Sequence, residues 1–134
     1  MTIAVDFDGT IVEHKFPEIG KEKPFAIETL LQLQDEGNRL ILCTSREGEL
    51  LEAAIAYCHE RGLDFYAVNS NQPRGALFTG QAGTKVIADV YIDDRNIGGL
   101  PDWGTIYEII CAKRARHHKK YRKKKSFWQR LFGR

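Results

Sequence analysis

The two residues of this sequence that are best placed to do chemistry are Asp6 and Asp8. They belong to the run Asp6-Phe7-Asp8-Gly9-Thr10, which directly follows the apolar residues 3–5. A short apolar stretch that ends in a glycine-containing turn predicts a buried strand, so both carboxylates are expected where that strand ends. Because charged side chains beside a buried strand cost free energy, we predict that the pair serves a ligand.

Phosphoryl transfer is a reaction that uses such a pair of carboxylates. In this interpretation Asp6 attacks phosphorus and forms an acyl phosphate that water later hydrolyses. Asp8 gives a proton to the leaving oxygen and then activates the water. A divalent cation beside the pair would screen the charges. For the run taken alone, the alternative is a turn that carries two solvated acids.

Polar residues that could bind a phosphoryl group lie beside later apolar stretches. Thr44 and Ser45 come after residues 39–43 and before a predicted helix, where the Thr44 hydroxyl and the free backbone amides of Ser45 and Arg46 form an anion site. Simple helix capping is the alternative. Lys85 precedes the apolar stretch 86–92, and we expect it to neutralise a phosphoryl group from the preceding loop.

Asp93 and Asp94 end the stretch 86–92 and are candidate magnesium ligands. Their side chains should point in different directions, so one can bind Mg²⁺ while the other orients a ligand or water. Magnesium takes oxygen ligands and keeps several waters, so two carboxylates and one carbonyl suffice. The alternative is a pair of acids that merely approach the next helix.

The order of the predicted elements would bring these residues together. Strands alternate with helices that begin at Pro24, at Glu47 and after Asp102, a pattern typical of βαβ units and a mainly parallel sheet. Ligands bind at the carboxyl ends of strands in such sheets. We therefore expect a three-layer Rossmann-like α/β fold. The predicted strands are 2–6, 39–43, 65–68 and 86–92.

Taken in order, these residues resemble the four motifs of the haloacid dehalogenase-like (HAD) phosphatases over about residues 1–112. The resemblance implies a HAD-like fold and a Mg²⁺-dependent phosphoric monoester hydrolase that works through an aspartyl phosphate. An acid at position 8 favours phosphatases or mutases over transport ATPases, and the residues after Asp93 resemble small bacterial HAD-type hydrolases. The implied residues are Asp6 and Asp8 for catalysis, Thr44, Ser45 and Lys85 for phosphate, and Asp6, the Asp8 carbonyl, Asp93 and Asp94 for the metal.

The intervals between these motifs leave no room for a cap domain, so the chain resembles the capless type. An open site suits a bulky substrate, such as a phosphorylated polymer or a lipid headgroup, or a site covered by a second subunit. The loop 69–84 is expected to act as a partial lid. Candidate substrate contacts are Arg46 first, then Arg74, His14 and Arg95.

Two other functions share features of this pattern. A response-regulator receiver also combines a parallel sheet, a phosphorylated aspartate and Mg²⁺, but its acidic pair and that aspartate occur in the opposite order along the chain. A non-catalytic module could keep the fold to bind a phospho-ligand or a membrane surface. The retention of every chemical group, from Asp6 to Asp93, argues against that module.

Composition indicates one domain followed by a charged appendage. The body, residues 1–112, has nine basic and eighteen acidic side chains, a net charge of −9; residues 113–134 have eleven basic and none acidic. The three cysteines are scattered through apolar segments, which indicates buried thiols in a reducing compartment. We expect a cytoplasmic protein, since no apolar run is long enough to span a membrane.

The appendage, residues 113–134, is expected to be a basic and aromatic helix extension or tail. Its basic run, 119–125, precedes four apolar residues that would share one helix face: Phe127, Trp128, Leu131 and Phe132. This pattern is typical of segments that attach to an anionic membrane surface, here residues 119–134 on the inner side of the membrane. Nucleic-acid binding is the weaker alternative. Docking onto the acidic body of another subunit, in a homo-oligomer, and a solvated disordered tail also remain open.

Overall fold

The computed structural model describes residues 1–74 and 85–133. Its elements are β1 (Thr2–Val5), α1 (Ala26–Asp35), β2 (Arg39–Leu42), α2 (Gly48–Glu60), β3 (Ala67–Val68), β4 (Val90–Ile92) and α3 (Trp103–Phe132). The strands form one parallel sheet in the order β3-β2-β1-β4. The predicted α/β class with a parallel sheet is therefore confirmed, and the carboxyl ends of all four strands lie at one edge.

The sheet buries its two faces in different ways. Ile3, Val5 and the β2 leucines Leu40 and Leu42 pack with the buried sides of all three helices in the main core. The alternate residues, among them Ala4 and Ile41, face the other way and form a small cluster with Ala67 and Val86. Large side chains thus fill the helix-covered face, while the second face carries small ones and the segment that leads into β4.

Among the element boundaries that differ from the sequence prediction, those at the starts of β4 and α1 have local causes. β4 begins at Val90, not at residue 86, because the Asn71 side chain occupies the backbone groups of Ile87. Asn71 Nδ2 donates to the Ile87 carbonyl at 2.7 Å, and Asn71 Oδ1 accepts from the Ile87 amide at 2.8 Å. α1 begins at Ala26, two residues after Pro24, because Phe25 has the left-handed φ of 65°. The Asn71 side chain thus satisfies the backbone groups of Ile87 without extending the strand, and the backbone conformation of Phe25 delays the start of the helix.

α3 is the longest helix, and its start was predicted correctly. The Asp102 carboxylate accepts a hydrogen bond from the Thr105 amide at 3.1 Å, which caps the helix. Trp103, Ile106 and Ile110 are buried in the main core. The helix then continues to Phe132, through the appendage that the sequence left as an extension or a tail.

Across 1–74 and 85–133, no separate cap domain covers the sheet, and no helix combines the length and the apolar character needed to cross a membrane. The expected lid lies outside the described residues from position 75 to 84, as does Arg134 at the end of the appendage.

Candidate active site

Three carboxylates meet where β1 and β4 end at the same edge of the sheet. Asp6 follows β1, and Asp93 and Asp94 follow its neighbour β4. One carboxylate oxygen from each of the three lies within 4.8 Å of the others. The structure therefore brings together the acids that the sequence placed in separate motifs.

Gly9 and Thr10, which follow Asp8 in the sequence, contact Asp94 and help to position the cluster. A Cβ on Gly9 would lie 2.4 Å from Asp94 Oδ2, and the φ of Gly9 is +84°, so this position requires glycine. The fully buried Thr10 accepts a hydrogen bond from the Asp94 amide at 3.1 Å. The Thr10 Oγ1 atom lies 3.4 Å from both Asp6 Oδ2 and Asp94 Oδ1. Because the hydroxyl has a single proton, it donates to one of these carboxylates at a time.

Asp6 is partly buried, and its negative charge is poorly compensated. Burial is the main reason that the pKa of Asp6 rises from its ordinary value of 3.8 to about 7, and the charges of Asp93 and Asp94 add to the shift. A hydrogen bond with the backbone of Phe7 opposes it. The cluster thus fits a small divalent cation, which prefers carboxylate oxygens and would supply the missing positive charge.

Asp8 occupies a different environment two residues along. Its two oxygens accept bidentate hydrogen bonds from Arg46, with Nε at 2.7 Å and Nη2 at 2.8 Å. The guanidinium of Arg46 also donates to the carbonyls of Pro17, Glu18 and Leu50. Because Arg46 is only 1% exposed, the pair is a buried clamp at the wall of the site.

This geometry bears on the sequence interpretation of Arg46 as the first substrate contact. The side chain points into the protein, and hydrogen bonding to Asp8 raises its pKa further, so it remains charged. The guanidinium carbon of Arg46 lies 5.3 Å from the centre of the Phe7 ring and 5.2 Å from the centre of the Phe16 ring. In this arrangement Arg46 holds Asp8 and is not among the residues that line the cavity, so its contact with substrate stays a prediction.

Thr44 and Ser45 lie at the end of β2, as predicted, although the expected amide site is partly used. The Arg46 amide donates to Thr44 Oγ1 at 3.1 Å, and the Thr44 amide donates to Asn69 Oδ1 at 2.8 Å. The Thr44 hydroxyl accepts from the backbone, so its own proton is free to point toward an anion. Of the predicted anion site, this hydroxyl proton and the Ser45 amide remain available, because the Arg46 amide is already bonded to Thr44.

A cavity of about 690 Å³ joins these groups. Lys85 lies on its wall, with Nζ 4.7 Å from the centre of the Tyr91 ring, so the lysine reaches the site from before its strand as expected. The lining residues are Asp6, Asp8, His14, Phe16, Cys43, Thr44, Ser45, Asn69, Lys85, Val86, Tyr91, Asp93 and Arg95.

The other candidates for substrate contact separate into two groups. His14 and Arg95 line the cavity, whereas Arg74 is exposed and pairs with Glu52 at 2.5 Å. Cys43 lines the cavity as well, but burial raises the pKa of its thiol to about 11, with Asp6 and Asp93 adding to the shift. The neutral thiol excludes a thiolate nucleophile at this position.

Three residues of the site were missed by the sequence analysis. Asn69 holds the Thr44 amide from the end of β3, and its φ of 52° is one that asparagine tolerates well. Its place at a strand end was a usable signal. Trp103 donates from Nε1 to the Thr10 carbonyl at 3.2 Å. The Tyr91 hydroxyl donates to the Val86 carbonyl and accepts from the Ala88 amide. No local pattern indicated those contacts.

Comparison with known proteins agrees with this geometry. A family model described as haloacid dehalogenase-like hydrolase matches residues 3–126. A solved structure, described as a conserved protein from Bacteroides thetaiotaomicron, is 59% identical with a TM-score of 0.77 and covers 84% of this chain and 91% of its own. Among curated proteins, no match was found.

The family match spans both the acidic cluster and the clamp that holds Asp8, which are carried on the parallel sheet. The match extends beyond half of the chain and includes every motif predicted from the sequence. The chain therefore belongs to the haloacid dehalogenase-like hydrolases.

Proposed function

We propose that this protein is a Mg²⁺-dependent phosphatase that hydrolyses phosphoric monoesters through an aspartyl phosphate on Asp6. The observation that carries the proposal is the cluster of Asp6, Asp93 and Asp94, whose oxygens lie within 4.8 Å of one another. The raised pKa of Asp6 supports it, because a cation would offset both the burial of Asp6 and its repulsion by Asp93 and Asp94, and would return Asp6 to the carboxylate form that attacks phosphorus.

Magnesium would be held by the carboxylates of Asp6 and Asp93 and by the carbonyl of Asp8, with Asp94 assisting. When bound, the ion would neutralise charge on the phosphoryl oxygens and on the acidic cluster. Thr44, Ser45 and Lys85 line the same cavity and would bind the remaining phosphoryl oxygens.

The first step breaks the bond between phosphorus and the leaving oxygen. A carboxylate oxygen of Asp6 attacks phosphorus, and the leaving oxygen departs with the bonding electron pair and takes a proton from Asp8. In the second step water attacks the same phosphorus, Asp8 takes its proton, and the Asp6 carboxylate leaves. Inorganic phosphate is released and both aspartates return to their starting forms.

The Arg46 clamp constrains how Asp8 performs this work. Both oxygens of Asp8 accept from Arg46, so Asp8 must take up the proton used in the first step from solvent as one of these two bonds breaks. The Asp8 side chain must therefore turn one oxygen from Arg46 toward the cavity during turnover. Arg46 fixes the starting position of that movement.

The test is hydrolysis of an aryl phosphate with and without Mg²⁺, by the wild type and by Asp6→Asn. Asp35→Asn is a matched control, because Asp35 is an exposed acid at the end of α1. We expect turnover that requires Mg²⁺ and survives Asp35→Asn but is lost in Asp6→Asn. Equal turnover by Asp6→Asn would overturn the proposal. Mg²⁺-dependent binding of a phosphate mimic without turnover of any ester would favour a non-catalytic phospho-ligand module.

A further inference from the structure

The second half of α3 leaves the body of the protein. We call residues 115–132 the C-terminal extension. Each of its residues is exposed, whereas Trp103, Ile106 and Ile110, earlier in the same helix, are buried in the main core. The helix therefore uses its first turns to stabilise the fold and presents the rest to the surroundings.

The C-terminal extension has one apolar face. The exposed fractions of Phe127, Trp128, Leu131 and Phe132 are 58%, 50%, 56% and 74%. At about 100° per residue these four side chains and Tyr121 fall within an arc of about 140° on the helix. The Trp128 and Phe132 rings stack with their centroids 5.1 Å apart, and Phe127 meets Trp128 edge to face at 6.2 Å.

Basic side chains occupy the remaining sides of the C-terminal extension. By the same helical spacing, Lys119, Arg122, Lys123 and Arg130 lie opposite or beside the aromatic face. From residue 113 to the end, the chain has eleven basic and no acidic side chains, while the body carries a net charge of −9. The positive charge is thus concentrated next to the aromatic cluster.

We propose that the C-terminal extension docks this protein onto an anionic lipid surface, with the helix lying in the plane of the interface. The aromatic face enters the boundary between headgroups and acyl chains, and the basic sides contact the anionic headgroups. Each basic residue close to such a surface strengthens binding by about fivefold. Lys120 and Lys124 lie within the apolar arc, and their long stems let the ammonium groups reach the headgroups.

The geometry favours lipid over single-stranded nucleic acid. Proteins that bind single strands place basic groups and free aromatic faces toward the same ligand, so that bases can stack. In the C-terminal extension Lys119, Arg122, Lys123 and Arg130 lie outside the aromatic face, and Trp128 and Phe132 stack on each other. One face of each ring is therefore already occupied.

The geometry also favours lipid over the body of a second copy. That body is acidic, but the aromatic face needs an apolar receptor as well. Away from the active site, an apolar cavity lined by Ile92, Leu100, Ile106 and Ile110 has a volume of about 160 Å³. This is below the roughly 300 Å³ of ordinary ligand pockets.

The experiment measures binding of the full chain to vesicles of neutral phosphatidylcholine, with or without about one third phosphatidylserine, at low salt and at about 0.5 M NaCl. One variant removes charge, Lys119→Gln with Lys123→Gln, and its control is Lys15→Gln with Lys21→Gln on the body. The other removes aromatic rings, Trp128→Ala with Phe132→Ala. Its control is Phe25→Ala with Ile97→Ala, since these body residues are 67% and 107% exposed.

We expect the wild type to bind the anionic vesicles at least about tenfold more tightly than the neutral ones, and to lose most of this binding at high salt. Both extension variants should weaken binding by about tenfold or more, and both controls should match the wild type. Circular dichroism verifies that each variant keeps its helix.

Three results would overturn the proposal. The first is equal or absent binding to the two kinds of vesicle. The second is salt-sensitive binding of a single-stranded oligonucleotide by a protein that ignores vesicles, which would assign the extension to nucleic acid. The third is self-association in sedimentation that the extension variants abolish, again without vesicle binding, which would assign it to a second copy. None of these results depends on catalytic activity, so they test docking separately from the proposed phosphatase.

Discussion

Asp6 and Asp8 are separated by one residue, yet the protein treats their charges in opposite ways. Asp6 lies beside Asp93 and Asp94, and its pKa is raised to about 7. Asp8 lies against Arg46, which donates to both of its oxygens. A charge that the protein leaves uncompensated marks a place for a ligand, whereas a charge that it compensates internally marks a side chain held in position.

The largest expected difference between the two aspartates concerns turnover. Asp6→Asn removes the nucleophile and should abolish phosphatase activity, while Asp8→Asn removes proton transfer and should lower kcat by about 10²- to 10⁴-fold. Initial rates with an aryl phosphate at saturating Mg²⁺ measure both variants. An Asp8→Asn enzyme as active as the wild type would remove Asp8 from the mechanism.

The clamp should contribute strongly to stability. Arg46→Met deletes the cation and leaves Asp8 without its partner, so we expect a loss of about 3 kcal/mol in the free energy of unfolding. Arg46→Lys should recover part of the loss, because an ammonium cannot reproduce two parallel bonds and three carbonyl contacts. Urea unfolding measures both variants. A loss below about 1 kcal/mol for Arg46→Met would contradict the assignment of a buried clamp.

The acidic cluster should have the reverse effect on stability. Because the pKa of Asp6 is raised on folding, the folded protein holds this proton more tightly than the unfolded chain does between pH 4 and 7. The stability of the wild type relative to Asp6→Asn should therefore fall as pH rises through this window and stay constant above it. Thermal midpoints in a chelator measure the difference.

Added Mg²⁺ sharpens this experiment. The ion favours the ionised cluster, so it should raise the thermal midpoint of the wild type at pH 8 and have less effect on Asp6→Asn. Asp35→Asn, at an exposed position on α1, serves as the control and should respond to Mg²⁺ as the wild type does. A pH-independent difference between the wild type and Asp6→Asn would contradict the uncompensated charge.

The smallest effect is expected at an exposed ion pair. Arg74 and Glu52 lie 2.5 Å apart but are both more than half exposed. Water competes for such a pair, so Arg74→Ala should change the free energy of unfolding by less than about 0.5 kcal/mol. Since Arg74 does not line the cavity, kcat/KM should also remain within about twofold of the wild type. A larger loss in kcat/KM would restore Arg74 as a substrate contact.

Much of this architecture could be predicted from the sequence because its signals are local. The apolar strands, the helix cap at Asp102 and the carboxylates after two strands each depend on a few neighbouring residues. The rule that parallel strands end at one edge then brings Asp6, Asp93 and Asp94 together. The lysine before β4 was also correctly expected at the cavity.

The structure departs from the sequence expectations where contacts join residues distant in sequence. Arg46 looked like a substrate contact because its loop follows β2, but the carbonyls of Pro17 and Glu18 complete a buried shell around it. The early part of β4 is shortened by the side chain of Asn71. No local pattern encodes such pairings, since they depend on how separate loops meet after the sheet has formed.

The most direct test of the central claim is to trap the phosphorylated enzyme. Wild type and Asp6→Asn would be mixed with substrate and Mg²⁺, quenched rapidly in acid and treated with borohydride, which reduces an aspartyl phosphate to homoserine. Mass spectrometry of the N-terminal peptide should then find homoserine at position 6 in the wild type and none in Asp6→Asn. Homoserine at another aspartate position, or phosphate release by Asp6→Asn at the wild-type rate, would contradict the account.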